Sequence, residues 1–224
     1  MPRLTRLNIK GETPGQKAAR AREILKRFRR FRPGARIELK HSSPLELLVA
    51  TILSAQCTDK KVNEVTRTLF GKYRTAMDYA SADPAVFQRE IRSTGFFRNK
   101  TKSVIGACQK IVADYGGEVP RTMDELLTLP GVARKTANVV LGNAFGVSSG
   151  IVMDTHVQRV ARRLGLTRAK TPDQMETDLM ALLPKKSWIE FSTQVVLHGR
   201  YVCTARNPDC PHCPVESLCP KIGL

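Results

Sequence analysis

The chain has 224 residues, of which 42% are hydrophobic and 25% charged, a composition typical of a folded globular protein and not of a disordered one. Its 37 Lys and Arg residues against 20 Asp and Glu residues give a formal charge of +17. This charge indicates a polyanionic partner, and nucleic acid is the leading candidate. No run approaches the roughly 18 apolar residues of a membrane span, and the first 20 residues lack the apolar core of a secretory signal, so we expect a cytosolic protein without membrane contact.

The basic excess is concentrated at the N-terminus. Residues 1–40 contain 13 basic and three acidic side chains, a balance of +10. A single arginine in such a run is usually just solvated. The cluster as a whole, however, predicts a surface that binds phosphates without regard to sequence.

The spacing of apolar residues predicts helices along the whole chain. Apolar side chains recur at intervals of three and four residues, and no convincing strand alternation appears. The sequence therefore predicts an all-α protein of about ten helices with short connections. The periodic residues are, in chain order, Ala21, Ile24, Leu25 and Phe28; Leu45, Leu48, Val49, Ile52 and Leu53; Val104, Cys108, Ile111, Val112 and Tyr115; Ala137, Val140, Leu141, Ala144 and Phe145; Val157, Val160, Ala161 and Leu164; Met175, Leu179, Leu182 and Leu183; and Trp188, Phe191, Val195 and Val196.

Proline and glycine agree with these helix boundaries. Pro44, Pro84 and Pro172 occupy predicted first-turn positions, where the missing N–H costs little. Gly116 and Gly146 follow the ends of periodic segments.

Two of the six cysteines lie early in the chain. Cys57 falls in a polar break between two helices, and the sequence assigns it no chemical role. Cys108 lies on an apolar stripe and is expected to be a small core residue.

A hairpin between two helices is predicted around residues 126–137. A short helix ends at Pro130 and Gly131, and the next begins almost at once, so the free N–H groups of its first turn point outward. Such a terminus binds phosphate, although a plain helix–turn–helix connection explains the pattern equally well. Lys135 lies in that turn, where the positive end of the helix dipole opposes a cation; a neutral lysine amine is a nucleophile. A lone lysine is otherwise usually a surface residue.

Asp154 precedes the stripe that begins at Val157. Its ordinary role is that of an N-cap, a carboxylate that accepts a backbone N–H two or three residues on. His156 is likewise more often structural than catalytic.

Four cysteines crowd the C-terminus with the spacing C-x6-C-x2-C-x5-C. In a cytosolic chain disulfides are rare, so four thiolates brought together by tight turns predict a metal site. The spacing alone does not separate a tetrahedral zinc site from a four-iron cluster. The four residues are Cys203, Cys210, Cys213 and Cys219.

Together these features resemble the endonuclease III family of DNA glycosylases, over essentially residues 37–224. The resemblance is carried, in order and spacing, by LLVATILSAQCTD (47–59), GFFRNK (95–100), LPGVARKTANVVL (129–141), MDTHV (153–157), LHGRYVC (197–203) and the cysteine quartet.

The resemblance implies the catalytic roles. Lys135 matches the family's nucleophile and Asp154 its catalytic aspartate. Gln56 matches the residue that fills the hole left by the flipped nucleotide, and Phe96 has the position of the wedge inserted into the opposite strand.

It also implies the backbone contacts and the cofactor. The amides around Gly131 and Ala133 should grip a phosphate, and the loop between the first two cysteines should carry Arg206 toward the DNA backbone. The metal site becomes a [4Fe–4S] cluster and not zinc, with a structural role. Its implied ligands are Cys203, Cys210, Cys213 and Cys219.

The implied architecture is the helix-hairpin-helix DNA glycosylase fold, with two helical domains and a cleft between them. Residues 1–36 form a basic extension and a helix that packs with the C-terminal domain. Residues 37–147 form a six-helix barrel domain with the hairpin, and residues 148–224 form the iron–sulfur domain. Lys135 and Asp154 then face each other across the cleft.

The implied function is base excision repair by a bifunctional DNA glycosylase and AP lyase. The enzyme would remove oxidised pyrimidines and cleave the abasic site by β-elimination through a lysine Schiff base. We expect a monomer in the cytoplasm, associated with the nucleoid, and a partner that is double-stranded DNA with damaged bases or abasic sites. The sequence leaves open the preferred lesion and a redox role of the cluster.

Two departures and three rivals accompany this prediction. Ala133 replaces the hairpin's second glycine, and the basic extension before residue 37 is not part of the family core. Adenine-mismatch glycosylases share the fold and cluster but lack the lysine and carry an extra C-terminal domain. A non-catalytic iron–sulfur DNA-binding module and a metal-free helical scaffold are disfavoured by the pair Lys135 and Asp154.

Overall fold

A computed structural model of the chain describes residues 7–224. Within this range it contains eleven α-helices, three short 3-10 turns and no strand, which confirms the all-α prediction with one helix more than the ten expected. Arg3 and Arg6 of the basic N-terminal cluster lie outside the described residues. The helices are α1 (Pro14–Phe31), α2 (Pro44–Leu53), α3 (Asp59–Lys72), α4 (Ala76–Ala80), α5 (Pro84–Ile91), α6 (Phe97–Tyr115), α7 (Met123–Leu127), α8 (Arg134–Phe145), α9 (Thr155–Arg163), α10 (Pro172–Leu182) and α11 (Trp188–Tyr201); the 3-10 turns are Arg92–Thr94, Lys185–Ser187 and Glu216–Leu218.

The starts of most helices are fixed by side-chain caps. In eight of these eleven α-helices a Ser, Thr or Asp oxygen accepts an N–H of the first turn, which satisfies a donor that the helix itself leaves free. The predicted first-turn prolines of α2, α5 and α10 are confirmed. The capping residues are Thr13, Ser43, Thr58, Thr75, Asp83, Thr122, Asp154 and Thr171.

The chain divides into two compact units. We call Ile37–Ser149 the central unit; the split unit combines Met1–Arg36, described from residue 7, with Gly150–Leu224. The second boundary lies two residues beyond the break expected after residue 147. The central unit holds α2 to α8, and the split unit holds α1 and α9 to α11.

Helix α2 is the core of the central unit. Every residue from Leu47 to Leu53 is buried, which explains why its sequence is apolar on all sides. It packs against α8, α6 and α3, while α4 and α5 pack against α6. Cys108 is fully buried in the same core, as predicted.

The split unit joins the N-terminal helix to the C-terminal part of the chain. Helix α1 packs against α10 and α11, and α9 packs against α11. Arg20 of α1 is only 8% exposed and donates to the carbonyls of Leu164 (2.6 Å) and Leu218 (3.2 Å) and to the carboxylate of Glu12 (2.6 Å). The expectation that arginines of the basic run are solvated is therefore wrong for Arg20, because local charge patterns do not show such distant acceptors. None of the described helices is long and apolar enough to cross a membrane.

Candidate functional site

The predicted hairpin connects α7 to α8 in the central unit. The short helix ends at Leu127, and Leu129 and Val132 of the connection are buried, so the turn is anchored to the core from both sides. Pro130 lies against Gly106 of α6, where an added Cβ would be 3.3 Å from the proline Cγ. The hairpin is therefore held in a fixed position on α6.

Gly131 lies at the apex of this turn and meets two requirements that only glycine fulfils. Its φ is +76°, in the left-handed region that side chains disfavour. An added Cβ would also lie 2.4 Å from the Cβ of Ser103 on α6.

The first turn of α8 has no side-chain cap, unlike most helices of the chain. Its N-cap is Ala133, in an extended conformation, and alanine offers no oxygen to the free N–H groups. These donors and the positive helix end remain directed outward, an arrangement that binds phosphate. Lys135, the second residue of α8, is exposed in the same turn.

Asp154 caps α9 in the split unit, as predicted. Its Oδ1 accepts the N–H of Val157 at 2.8 Å. The extended segment before it is held by buried side chains, since the N–H of Ile151 donates to Glu176 Oε1 (3.1 Å) and that of Val152 to Ser192 Oγ (2.9 Å). The Asp154 carboxylate therefore projects from a backbone segment that hydrogen bonds hold in place. Lys135 and Asp154 belong to different units, and their pairing stays a prediction.

Gln56 and Phe96 both occupy the left-handed backbone region within the central unit. Their φ angles are +53° and +49°, and only one other described non-glycine residue, Lys221, has a positive φ. Gln56 is exposed in the connection between α2 and α3. Phe96 precedes α6 and is 60% exposed, the largest fraction among the exposed large hydrophobic residues described. Such strained, exposed positions are typical of functional sites.

The four C-terminal cysteines of the split unit line one cavity of about 380 Å³, counting its open mouth. In the described part of the chain, no three His, Cys, Asp or Glu side chains are grouped to hold a single metal ion. Four thiols around one cavity are the donor set of a tetrahedral zinc site or of a four-iron cluster.

Polar groups lie beside three of these sulfurs. Arg163 Nη1 donates to Cys203 Sγ at 3.3 Å, and the backbone N–H of Lys221 donates to Cys219 Sγ at 3.4 Å. His198 Nε2 lies 3.6 Å from Cys213 Sγ. Arg163 is itself buried, and its guanidinium places positive charge beside the Cys203 sulfur.

Burial makes the bare thiolates unfavourable. It raises the pKa of Cys213 to about 12 and also raises the pKa values of Cys210 and Cys219. Iron supplies the positive charge that thiolates in such surroundings require, so the donor set fits an iron–sulfur cluster.

Arg206 is exposed in the loop between Cys203 and Cys210. The loop is shaped by Arg163, which donates to the carbonyls of Thr204 (2.6 Å) and Ala205 (2.8 Å). Arg206 is thus presented by a segment that is tied to the cysteine-lined cavity.

Comparison with known proteins assigns the chain to a family. Residues 49–185 match the HhH-GPD superfamily base excision DNA repair protein family, and residues 203–219 match the iron–sulfur binding domain of endonuclease III. Endonuclease III of Synechocystis sp. is 54% identical over 205 residues, which cover 92% of this chain and 94% of that protein. The chain belongs to the endonuclease III family.

Two solved structures of this family are similar to the chain throughout. A non-covalent endonuclease III–DNA complex and a trapped endonuclease III–DNA covalent intermediate, the estranged-adenine complex, each superpose with a TM-score of 0.86 at 45% identity. Both cover 90% of this chain, and the chain covers 94% and 95% of the two structures. The helix-hairpin-helix fold predicted from the sequence is confirmed.

Membership settles the class of reaction and the cofactor. The chain is a base excision repair DNA glycosylase and AP lyase of the endonuclease III family. Its C-terminal segment is the family's iron–sulfur binding domain, and its cofactor is a [4Fe–4S] cluster. The match begins at Cys203 and ends at Cys219.

Sequence reasoning missed three buried polar residues that shape these sites. Arg163 and His198 lie beside the sulfurs, and Lys100 is buried next to the segment that carries Phe96. Two of them had a detectable signal, since a lysine and a histidine stand at three- and four-residue spacing within the apolar stripes of α6 and α11.

Proposed function

We propose that this endonuclease III family member excises oxidised pyrimidines from duplex DNA and then cleaves the abasic site by β-elimination. Lys135 is the nucleophile in this proposal and Asp154 its partner. The supporting observation is the first turn of α8, which combines an exposed lysine residue with a helix N-terminus that no side chain caps, so that a neighbouring phosphate can bind there. A phosphate bound there brings the sugar C1′ near the amine.

The chemistry begins once the nucleotide is extruded, because a stacked base is out of reach. The Lys135 amine attacks C1′ as the glycosidic bond breaks and the base leaves. The Asp154 carboxylate uses Oδ1 for the α9 cap, which leaves Oδ2 to take the amine proton and to stabilise positive charge on the sugar.

The Schiff base formed on Lys135 accounts for the lyase activity. An iminium at C1′ makes the C2′ proton acidic, so its removal expels the 3′ phosphate by β-elimination. The covalent intermediate trapped with a 45% identical endonuclease III supports a route through an enzyme–DNA bond.

Gln56 and Phe96 are assigned to the extrusion step. In this proposal Gln56 fills the hole left by the flipped nucleotide and Phe96 enters the opposite strand. Their strained backbones and exposure support these roles, since both side chains already project from the surface. Gly131, Ala133 and Arg206 contact the phosphate backbone.

The [4Fe–4S] cluster is assigned to Cys203, Cys210, Cys213 and Cys219, with a structural role. The cluster supplies a fixed centre around which the C-terminal loops fold. The assignment is supported by the cavity that the four thiols share and by the N–H donors directed at two of them. The domain roles, the monomeric state and the nucleoid association in the cytoplasm stay predictions.

Duplexes that each contain one defined lesion test the substrate proposal. We expect excision of oxidised pyrimidines such as thymine glycol, followed by the unsaturated 3′ end of β-elimination, and little action on undamaged duplex. Asp154→Asn should bind the lesion duplex but excise steeply less. Preference for an alkylated or mismatched purine, or a hydrolytic 3′ hydroxyl end, would overturn the proposal.

A further inference from the structure

Lys100 is a buried cation, and no carboxylate in the described part of the chain forms an ion pair with it. Its side chain belongs to a residue that is 4% exposed in the first turn of α6, and burial lowers its pKa. Among the described lysines only Lys221 is comparably buried, and it is ion-paired with Glu216. Burying a charged group is costly, so the burial of a lysine at this position calls for a reason.

The ammonium group of Lys100 holds the segment that presents Phe96. Nζ donates to the carbonyl of Thr94 at 2.7 Å, and the backbone N–H of Lys100 donates to the carbonyl of Phe96 at 3.0 Å. Between these two carbonyls the chain passes through Gly95 with φ +70° and Phe96 with φ +49°. A left-handed residue other than glycine persists only where its surroundings fix it.

The segment that Lys100 holds also packs against the helix that follows the second strained loop. The carbonyl that accepts from Lys100 belongs to the 3-10 turn Arg92–Thr94, and this turn packs against α3. Helix α3 begins at Asp59, three residues after Gln56, whose φ is +53°. Both non-glycine residues of the central unit that have a left-handed backbone therefore lie within three residues, in sequence, of elements that meet at the turn bonded to Lys100.

We propose that Lys100 is a positioning residue that couples the Gln56 loop to the Phe96 loop and keeps both ready for insertion into DNA. This inference rests on the proposed roles of Gln56 and Phe96. Lys100 itself does not touch the substrate, because its amine is buried and bonded to Thr94. Preformed loops reduce the ordering that DNA must otherwise impose, so Lys100 acts on extrusion and not on bond cleavage.

The variant Lys100→Met tests whether the Lys100 contact positions the loops or stabilises the fold. Methionine keeps most of the volume and removes the charge and the donor; replacing a buried charge by an apolar residue of similar size is often neutral or stabilising. Lys100→Gln keeps one N–H donor for the Thr94 carbonyl. Lys110→Met is the matched control, a more exposed lysine of the same helix that pairs with Asp114.

The experiment uses the holoenzyme and duplexes with thymine glycol beside 2-aminopurine, whose fluorescence reports unstacking. For Lys100→Met we expect an unchanged or higher melting temperature, reduced 2-aminopurine fluorescence and about tenfold slower single-turnover excision, or roughly 1.4 kcal/mol. The loss should shrink when the lesion is unpaired in single-stranded DNA, where extrusion costs least. Lys100→Gln should recover part of the rate, and Lys110→Met should match the wild type.

Separate outcomes overturn the inference and the function on which it rests. A Lys100→Met protein that fails to fold, or that loses activity equally on paired and unpaired lesions, shows a merely structural role. Unchanged extrusion in that variant also contradicts the inference. If Gln56→Ala and Phe96→Ala leave extrusion intact, the proposed roles of those two residues fail instead.

Discussion

Gly131 and Gly116 have similar backbone conformations in different surroundings. Their φ angles are +76° and +60°. An added Cβ at Gly131 would collide with Ser103, whereas nothing lies within 4 Å of one at Gly116. The two positions therefore separate the cost of a left-handed φ from the cost of a steric clash.

Gly116→Ala should lower the free energy of unfolding by about 1–2 kcal/mol, the cost of the left-handed conformation. Gly131→Ala should lose that amount and a further ~1–3 kcal/mol from overpacking against α6. Urea unfolding of both variants measures the difference. Ser103→Gly in the Gly131→Ala background should restore part of it, and equal losses at the two glycines would contradict the role of the clash.

Arg20 and Arg29 differ in what they do for the fold, although both belong to the basic N-terminal run. Arg20 is buried with Glu12 and two backbone carbonyls, whereas Arg29 pairs with Glu190 at the surface, with 48% of its side chain exposed. Removing one partner of a buried pair costs far more than removing a surface pair.

We expect Arg20→Met to lower the free energy of unfolding by about 3–5 kcal/mol and Arg29→Met by at most about 1 kcal/mol. Each variant loses one positive charge, so long-range attraction to DNA changes equally. Denaturant unfolding at fixed salt gives both values. Similar losses in the two variants would show that Arg20 is no more structural than its exposed neighbour.

Helix α6 links several parts of the proposed site within the central unit. Phe96 precedes it, Lys100 lies in its first turn, and Ser103 and Gly106 receive the hairpin. These positions are three or four residues apart and so share one side of the helix. Helix α6 therefore sets the spacing between Phe96 and the hairpin.

The segment that carries the four cysteines depends on side chains and the cluster more than on regular structure. Between Cys203 and Cys219 the only helical element is the 3-10 turn Glu216–Leu218. The central unit, in contrast, has a core of its own around α2. Loss of iron should therefore act locally.

Removal of the iron by oxidation and chelation should raise amide exchange in residues 203–219 and leave α2 and α8 protected. Hydrogen exchange read out by mass spectrometry measures both regions in one sample. Purified protein should first show about four irons and four sulfides per chain. One zinc without sulfide, or simultaneous loss of protection in α2, would contradict this account.

The net charge of +17 attracts DNA to the molecule as a whole. The structure shows which N-terminal charges can be removed without disturbing the fold. Residues 7–16 hold the Glu12 partner of Arg20 and the Thr13 cap of α1. A deletion of residues 1–16 would therefore damage the split unit. Deletion of residues 1–6 removes two charged side chains, those of Arg3 and Arg6.

Deleting residues 1–6 should flatten the salt dependence of binding to undamaged duplex. Each phosphate that the protein no longer neutralises lowers the log–log slope by about 0.9 unit, so the two arginines account for at most about 1.8 units. Excision at saturating enzyme should persist. An unchanged slope, measured by titration at several salt concentrations, would mean that these charges face water.

The sequence predicted the local features of this molecule well and the long-range ones poorly. Helix periods, caps such as Asp154 and the cysteine quartet are encoded within a few neighbouring residues, and the structure contains them. The contacts of Arg20, Lys100 and Ser103 depend on how distant segments pack. No local pattern encodes those contacts: a lysine on the apolar stripe of α6 indicates burial, and it does not show which distant group the lysine contacts.

Borohydride trapping tests the assignment of Lys135 most directly. Reduction during turnover should link the enzyme to lesion-containing DNA, and peptide mapping should place the link on Lys135. Lys135→Gln should abolish the link and base excision while lesion binding and the cluster absorbance remain. Lys60→Gln, which changes an exposed lysine at the same position of the first turn of α3, should trap normally. Robust trapping by the Lys135→Gln protein would show that another amine is the nucleophile and would contradict the account.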